Sequence, residues 1–142
     1  MYALTRKSLM RHVVDQFALC PSPLAYVDFD AHGDLTQLPA GDVAGLHSFS
    51  LSTHQGYYEA TWAVNVSTID DENLFRLVET MDVFYDAFNP EGVIPLYDPV
   101  TAQKVGGLVI YYGTQAFPLE RTHARAVLAL TASGRLILDP AE

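Results

Sequence analysis

The residues best suited to acid–base or metal chemistry are five histidines spread along the chain: His12, His32, His47, His54 and His123. No two of them stand four residues apart and no His-Glu-x-x-His run occurs, so the sequence excludes the usual zinc site on a helix. His47 alternates with Phe49 and Leu51, so we expect these three side chains to share one strand face. A cavity around His47 with a carboxylate partner would favour a small enzyme or ligand-binding domain with an apolar pocket between sheet and helix.

An acidic stretch at residues 28–34, Asp-Phe-Asp-Ala-His-Gly-Asp, has side chains that bind cations. A calcium loop closes with a glutamate at about the twelfth position. Counted from Asp28, that position is Pro39, whose side chain cannot be a ligand. We therefore interpret the stretch as a solvated turn and predict no metal site.

The candidate nucleophile is Cys20, the single cysteine of the chain. A single cysteine excludes an intramolecular disulfide and a thiolate cluster, and we interpret Cys20 as a partly buried structural thiol in a reducing compartment. No Gly-x-Ser-x-Gly elbow occurs, and the glycines at 106–107 lack the Lys-Ser/Thr of a phosphate loop. The carboxylates at 70–72 suit acid–base catalysis or helix capping, and their place at a helix start favours capping. The sequence therefore predicts no catalytic residue, no cofactor and no enzymatic activity.

The first half of the chain predicts a helix at 5–19 with Thr5 as its N-cap, a strand at 24–30 and a long loop at 31–45. The apolar positions of that helix are Met10, Val13, Val14 and Phe17. Segments 46–53 and 57–68 predict a β-hairpin. In its second strand, one face is apolar (Tyr58, Ala60, Trp62, Val64, Val66) and the other polar (Glu59, Thr61, Asn65, Ser67), which is typical of a sheet covered on one side.

The second half predicts an amphipathic helix at 71–88 and a long loop at 89–105. The helix stripe is Leu74, Leu77, Val78, Met81, Tyr85 and Phe88. Strands follow at 107–116, 122–131 and 135–138, the last two joined by a turn at Ser133-Gly134. Strands with helices segregated between them indicate an α+β fold, mainly antiparallel, with both helices on one face of the sheet. The length of 142 residues fits one domain, 1–142.

Composition limits the partners. The net charge of −9 argues against a broad nucleic-acid-binding face. No apolar run approaches the ~20 residues that span a bilayer, and the first 20 residues do not resemble a signal peptide. Charged residues are 18% of the chain, which fits either a surface that partners cover or an ordinary surface around an apolar core.

Aromatic residues supply the interface candidates, because tyrosine and tryptophan are enriched where proteins meet. We expect Tyr57, Tyr97, Tyr111 and Phe117 at an interface and Trp62 in the core. The two long loops would reach neighbouring subunits in an assembly.

The order of elements resembles the tail-terminator (tail-completion) proteins of tailed bacteriophages. The segments that carry the resemblance are 4–19, 46–68 with its Tyr-Tyr-Glu-Ala-Thr-Trp-Ala-Val-Asn-Val strand, 69–88 and 108–138. It implies a non-enzymatic virion protein, assembled in the host cytoplasm, whose copies form a ring, typically a hexamer. Its partners would be the tail tube and the connector, and DNA would pass through an acidic lumen without specific binding. Residues 90–104 have no clear match in that family, and another neck, connector or baseplate subunit fits the same pattern.

Overall fold

The protein folds as two helices against a six-stranded sheet, and the computed structural model describes residues 1–31, 38–116 and 125–140. The helices are α1 (Tyr2–Asp15) and α2 (Phe75–Ala87), with 3₁₀ turns at Phe17–Leu19 and Glu72–Leu74. The strands are β1 (Leu24–Tyr26), β2 (Asp42–His54), β3 (Tyr57–Ile69), β4 (Val93–Tyr97), β5 (Lys104–Ala116) and β6 (Arg125–Leu138). The predicted α+β class is confirmed.

The sheet order is β1-β2-β3-β6-β5-β4, and every pair is antiparallel except β1 with β2. The predicted hairpin is confirmed as β2 and β3, joined by Gln55 and Gly56. Gly56, the second central residue of the turn, has φ +86°, which glycine adopts without strain. β3 lies at the centre and pairs with β6 along its length.

The main core lies between one sheet face and both helices. Ala60, Trp62, Val64 and Val66 of β3 are buried there, as their alternation predicts. The helices contribute Leu9, Val13, Leu77, Met81 and Phe84, and Phe88 follows directly after α2. Fully burying a large apolar side chain contributes about 1.5–3 kcal/mol, so these contacts hold both helices on the same face.

The predicted helix stripes are partly wrong. Met10 and Val14 of α1 are exposed, and Leu9 packs beside Val13 in the core. In α2, Val78 is exposed and Phe84 takes the buried position.

The helix starts also differ from their predictions. α1 begins at Tyr2, and Thr5 is a buried residue inside it whose hydroxyl donates to the Met1 carbonyl at 2.7 Å. α2 begins at Phe75 because Asn73 and Leu74 both adopt φ +61° and interrupt the helical path.

Asp71 nevertheless caps α2, as the sequence predicts. Its carboxylate accepts the backbone N–H of Arg76 at 3.2 Å and that of Leu77 at 2.8 Å. It also accepts the Thr68 hydroxyl at 2.9 Å. The carboxylate therefore satisfies N–H groups of the first turn from a position ahead of the kink.

Two predicted loops are wrong in part. Residues 42–45 of the first already belong to β2, and residues 32–37 lie outside the described part of the chain. The second, 89–105, contains the edge strand β4, which pairs with β5 from Val93 to Tyr97. Pro95 lacks an N–H group, and this suits it to an edge strand.

The C-terminal strands are also fewer than predicted. β6 runs without a break through Ser133 and Gly134, so no turn divides 122–131 from 135–138, and residues 122–124 lie outside the described residues. A Cβ on Gly134 would stand 2.8 Å from the Val109 carbonyl, so glycine permits close approach of β5. The predicted strand at 24–30 shortens to β1, although the N–H of Val27 still bonds to β2.

A smaller apolar cluster lies apart from the main core and consists of Val27, Phe29, Leu38 and Val43. The backbone at Val27 lies so close to β2 that a Cβ on Gly45 would stand 1.6 Å from the Val27 carbonyl oxygen. Asn65 and Ser67, which the sequence places on the solvent face, are buried, and the guanidinium of buried Arg125 donates to the Ser67 hydroxyl at 3.4 Å and to the Pro39 carbonyl. Within the described ranges, no helix is long and apolar enough to cross a membrane.

Candidate ligand cleft on the helix-free face

A β-bulge in β2 decides where His47 points. His47 pairs with Ala63 and Ser50 with Thr61, so β2 has one more residue than β3 between these pairs. Ser48 takes up the extra residue with φ +53°. An extra residue inverts the alternation of side chains. His47 therefore lies on the helix-free face, the side of the sheet opposite both helices, whereas Phe49 is buried in the core. The prediction that His47 and Phe49 share a strand face is wrong.

The helix-free face carries an open cleft of about 340 Å³ over β2, β3 and β6. Its lining consists of His47, Ser48, Thr61, Trp62, Ala63, Asn65, Ala129 and Thr131, of which Trp62 is fully buried. This volume lies at the small end of the range for ligand pockets. None of the lining residues is a lysine, arginine, aspartate or glutamate.

His47 has a carboxylate neighbour behind the cleft. Its Nδ1 lies 3.2 Å from Oδ1 of Asp30, and the same oxygen accepts the backbone N–H of Ser48 at 2.8 Å. Nδ1 is buried and makes no hydrogen bond within the described residues. Asp30 thus fixes the bulge and attracts the imidazole. His47 thus lines a cleft beside a carboxylate, but it does not point into an apolar pocket between sheet and helix, which the sequence-based hypothesis of an enzyme or ligand-binding domain requires.

Asn65 is the second polar group of the cleft, and sequence analysis missed it. The residue is only 8% exposed, and its Oδ1 has no hydrogen-bond partner in the part of the chain described. A buried polar atom without a partner costs about 1–3 kcal/mol. The sequence carries no signal for this, because Asn65 looks like any polar residue of an alternating strand.

Two of the four predicted interface residues meet on the same face. Tyr111 is 51% exposed, and burial together with the neighbouring Glu59 carboxylate raises the pKa of its hydroxyl to about 12. The Arg135 guanidinium lies 4.3 Å over the Tyr57 ring. Glu59 and Arg135 are direct cross-strand partners of opposite charge; Glu59 adjoins Tyr111 and Arg135 adjoins Tyr57.

The other two interface predictions do not join this group. Tyr97 lies on the edge strand β4, where the Arg11 guanidinium of α1 stands 4.1 Å from its ring centre and the Ser8 hydroxyl accepts its backbone N–H at 3.0 Å. Phe117 lies outside the described residues.

The remaining histidines are dispersed. Nε2 of His12 lies 3.0 Å from the Ala87 carbonyl, and His54 stacks on Tyr57 with ring centres 4.9 Å apart. His32 and His123 lie outside the described residues. In the described ranges, no three His, Cys, Asp or Glu residues are placed to hold a metal ion.

The acidic stretch and the cysteine have structural partners. Asp28 forms an ion pair with Arg6 and accepts the Asp30 amide at 3.0 Å. Burial opposes ionisation of Asp28, but these bonds outweigh it and hold its pKa below the ordinary value. Cys20 is half-buried as predicted, its Sγ donates to the Gln16 carbonyl at 3.4 Å, and burial raises its thiol pKa. A raised pKa leaves less thiolate at neutral pH, which argues against a nucleophilic role.

Comparison with known proteins adds no family. No protein-family model matches this chain, and no curated protein shows significant similarity to its sequence.

Proposed function

We propose that this protein is a non-enzymatic structural subunit whose copies assemble into a ring, as a tail terminator at the head–tail junction of a tailed phage. The observation that carries the assembly part is an exposed apolar surface on the helix-free face, the β4–β6 patch. Its members are Val93, Val109, Tyr111, Ile137 and Tyr57. Val93, Tyr111 and Ile137 are 59%, 51% and 56% exposed.

The patch is contiguous across adjacent strands. Val93 pairs directly with Val109, and Val109 pairs with Arg135. Ile137 follows two residues later on the same face of β6. Exposed apolar residues that stand singly are ordinary, but a connected group on neighbouring strands marks an interaction surface.

Charge favours this patch as the surface where copies meet. Two chains of charge −9 repel each other, so they associate best through surface with little net charge. Two charged residues beside the patch, Glu59 and Arg135, are of opposite sign and are cross-strand partners on the adjacent strands β3 and β6. Burying the patch would remove apolar area from water.

The solvent side of α2 supports the proposed lumen. Glu79, Asp82 and Asp86 are exposed and follow one another at helical spacing. Like charges at this spacing destabilise a helix, and Asp86 lies at the helix end where the dipole disfavours an anion. A ring that keeps these carboxylates facing its channel would repel DNA phosphates and let the duplex slide.

The test is the solution mass of the full chain by light scattering over a concentration series. We expect growth toward a ring-sized mass, and we expect Ile137→Lys to shift the protein to monomer. The control is Val100→Lys, because Val100 is 91% exposed between β4 and β5 and away from the patch. A monomer at all concentrations whose state Ile137→Lys does not alter would contradict the assembly proposal.

Position in the particle needs a second experiment. Gold-labelled antibody on virions should mark the junction of head and tail. Label at the distal tail end would indicate a baseplate subunit and contradict the terminator assignment. Absence of the protein from virions would refute the assignment as a virion protein.

A further inference from the structure

A ring needs two different surfaces on every copy. When a surface of one copy meets a different surface of the next, repetition of the contact closes a ring or extends a filament. When the same surface meets itself, the contact gives a two-fold dimer and stops there. The β4–β6 patch supplies one surface, so the ring proposal, on which this inference rests, requires a second surface that complements the patch.

The solvent side of α1 carries a candidate, the α1 stripe, which consists of Lys7, Met10, Arg11 and Val14. These positions have the spacing of a single helix face. Met10 and Val14 are 38% and 39% exposed, and neither belongs to the core cluster that holds α1 on the sheet. Together with Asp15, the stripe borders a shallow depression of about 410 Å³. The stripe therefore offers apolar contact area flanked by charge.

The charge of the α1 stripe is positive, although the whole chain has 8 basic and 17 acidic side chains. Lys7 and Arg11 are exposed one helical turn apart, and neither forms an ion pair within the described residues. Asp15, also exposed, is the carboxylate next to them. Two cations and one carboxylate give this surface a net charge of +1.

The β4–β6 patch has the opposite sign. Glu59 and Arg135 stand beside it as cross-strand partners. Asp139 comes two residues after Ile137, and its N–H donates to the Val105 carbonyl at 2.8 Å, so the pairing with β5 continues to this residue. Side chains two residues apart share a strand face. Two carboxylates and one guanidinium therefore give the patch a net charge of −1.

Charge also separates the α1 stripe from the exposed apolar residues at the start of α2. Phe75 and Val78 are 66% and 43% exposed there. The carboxylates of Glu79, Asp82 and Asp86 follow on the same side of that helix. Like charge would repel the β4–β6 patch from this surface, whereas the α1 stripe attracts it.

The placement of the two surfaces allows both to be occupied at once. α1 covers one face of the sheet, and the patch lies on the opposite, helix-free face. The tyrosines of the patch also suit a basic surface, because a guanidinium or ammonium packs over an aromatic ring. Arg11 already lies 4.1 Å from the ring centre of Tyr97 within the chain, and Tyr111 of the patch is 51% exposed.

We propose that the β4–β6 patch of one copy binds the α1 stripe of the next. Met10 and Val14 supply the apolar contact, and Lys7 and Arg11 supply the charge that the patch lacks. Because the two surfaces lie on opposite sides of the subunit, each bound copy leaves a free surface for another, as a ring requires.

The first test is Met10→Glu, studied by light scattering over a concentration series. The substitution keeps a good helix former at an exposed position and sets a carboxylate against an acidic patch. We expect the dissociation constant for association to rise at least about tenfold. The matched control is Leu19→Glu, because Leu19 is 68% exposed in the turn after α1 and the change of charge is the same. Should Met10→Glu unfold, Val14→Glu makes the same change one turn further along α1.

The second test mixes two variants. Met10→Glu keeps the patch and Ile137→Lys keeps the stripe, so each should be monomeric alone. Their equimolar mixture should reach the mass of at least two chains, because each copy retains the surface that the other has lost. A patch that binds itself predicts the reverse: Met10→Glu would still associate, and Ile137→Lys would add nothing to it.

The outcomes distinguish this inference from the proposal beneath it. A wild type that stays monomeric at every concentration overturns both. Wild-type association that Ile137→Lys abolishes and folded Met10→Glu leaves unchanged overturns this inference alone. A mixture that remains monomeric likewise excludes the pairing of patch with stripe.

Discussion

Asp71→Asn is the substitution whose effect on stability follows most directly from the structure. The Asp71 side chain is buried and accepts the N–H of Leu77, the N–H of Arg76 and the Thr68 hydroxyl at 2.8–3.2 Å. Hydrogen bonds to a charged group contribute about 1.5–3 kcal/mol each. An asparagine retains one acceptor oxygen and turns an NH₂ donor toward groups that also donate. We therefore expect the free energy of unfolding to fall by about 2–4 kcal/mol.

The assay is urea unfolding followed by the fluorescence of Trp62, which is the single tryptophan and fully buried. In thermal unfolding, about 2–4 °C per kcal/mol corresponds to a decrease in Tm of roughly 5–15 °C for a chain of this size. Asp70→Asn is the matched control, because Asp70 is the exposed neighbour and its φ of +51° suits asparagine. We expect the control to change stability by less than about 0.5 kcal/mol.

The pH dependence gives an independent check. Burial opposes ionisation of Asp71, but the bonds from Leu77, Thr68 and Arg76 outweigh it and hold the pKa of the carboxyl below its ordinary 3.8. When the pKa of a carboxyl is lower in the folded state than in the unfolded state, its ionised form stabilises the fold. This stabilisation is complete at a pH above the unfolded-state pKa and is lost as the pH falls through the folded-state pKa. The difference between wild type and Asp71→Asn should thus stay constant above about pH 5 and shrink below 3.8. A loss under about 1 kcal/mol at neutral pH, or a difference that grows in acid, would refute the capping argument.

Three further predictions concern separate parts of the molecule. Gly45→Ala should lower the free energy of unfolding by about 3 kcal/mol or more, the upper end for overpacking, because its Cβ would stand 1.6 Å from the Val27 carbonyl. Urea unfolding measures this change, and wild-type stability in the variant would contradict the close approach. Asp86→Asn should raise stability by about 0.3–1 kcal/mol by removing an anion from the end of α2, and an unchanged urea midpoint would show that the helix dipole is screened there. Tyr111 should ionise near pH 12, and Glu59→Gln should lower the pKa of its hydroxyl because a neutral amide does not oppose formation of the phenolate. Difference absorbance of the phenolate measures both, and an unchanged titration in the variant would show that Glu59 does not raise this pKa.

The elements that sequence predicts well are those whose side-chain period matches their burial. β3 is the clearest example, because Ala60, Trp62, Val64 and Val66 alternate with polar residues and are buried as expected. Its hairpin turn follows from Gly56 and two flanking strands. The class of the fold and the placement of both helices on one face follow from such local signals.

The parts that sequence missed depend on backbone features without a compositional signal. Serine gives no indication that position 48 adopts a positive φ, yet that bulge moves His47 to the helix-free face. Asn73 and Leu74 likewise shift the start of α2 by a left-handed pair that no periodicity reveals. Pro95 and Gly106 look like loop residues, and only pairing with a neighbouring strand shows that both lie in the sheet.

Of the two polar residues in the candidate cleft, the sequence singled out His47 and missed Asn65. His47 attracted attention because histidine does acid–base and ligand chemistry. Asn65 did not, since its burial depends on tertiary packing over a strand face that its alternation places in solvent. Long-range covering of this kind is a tertiary effect that strand periodicity does not report.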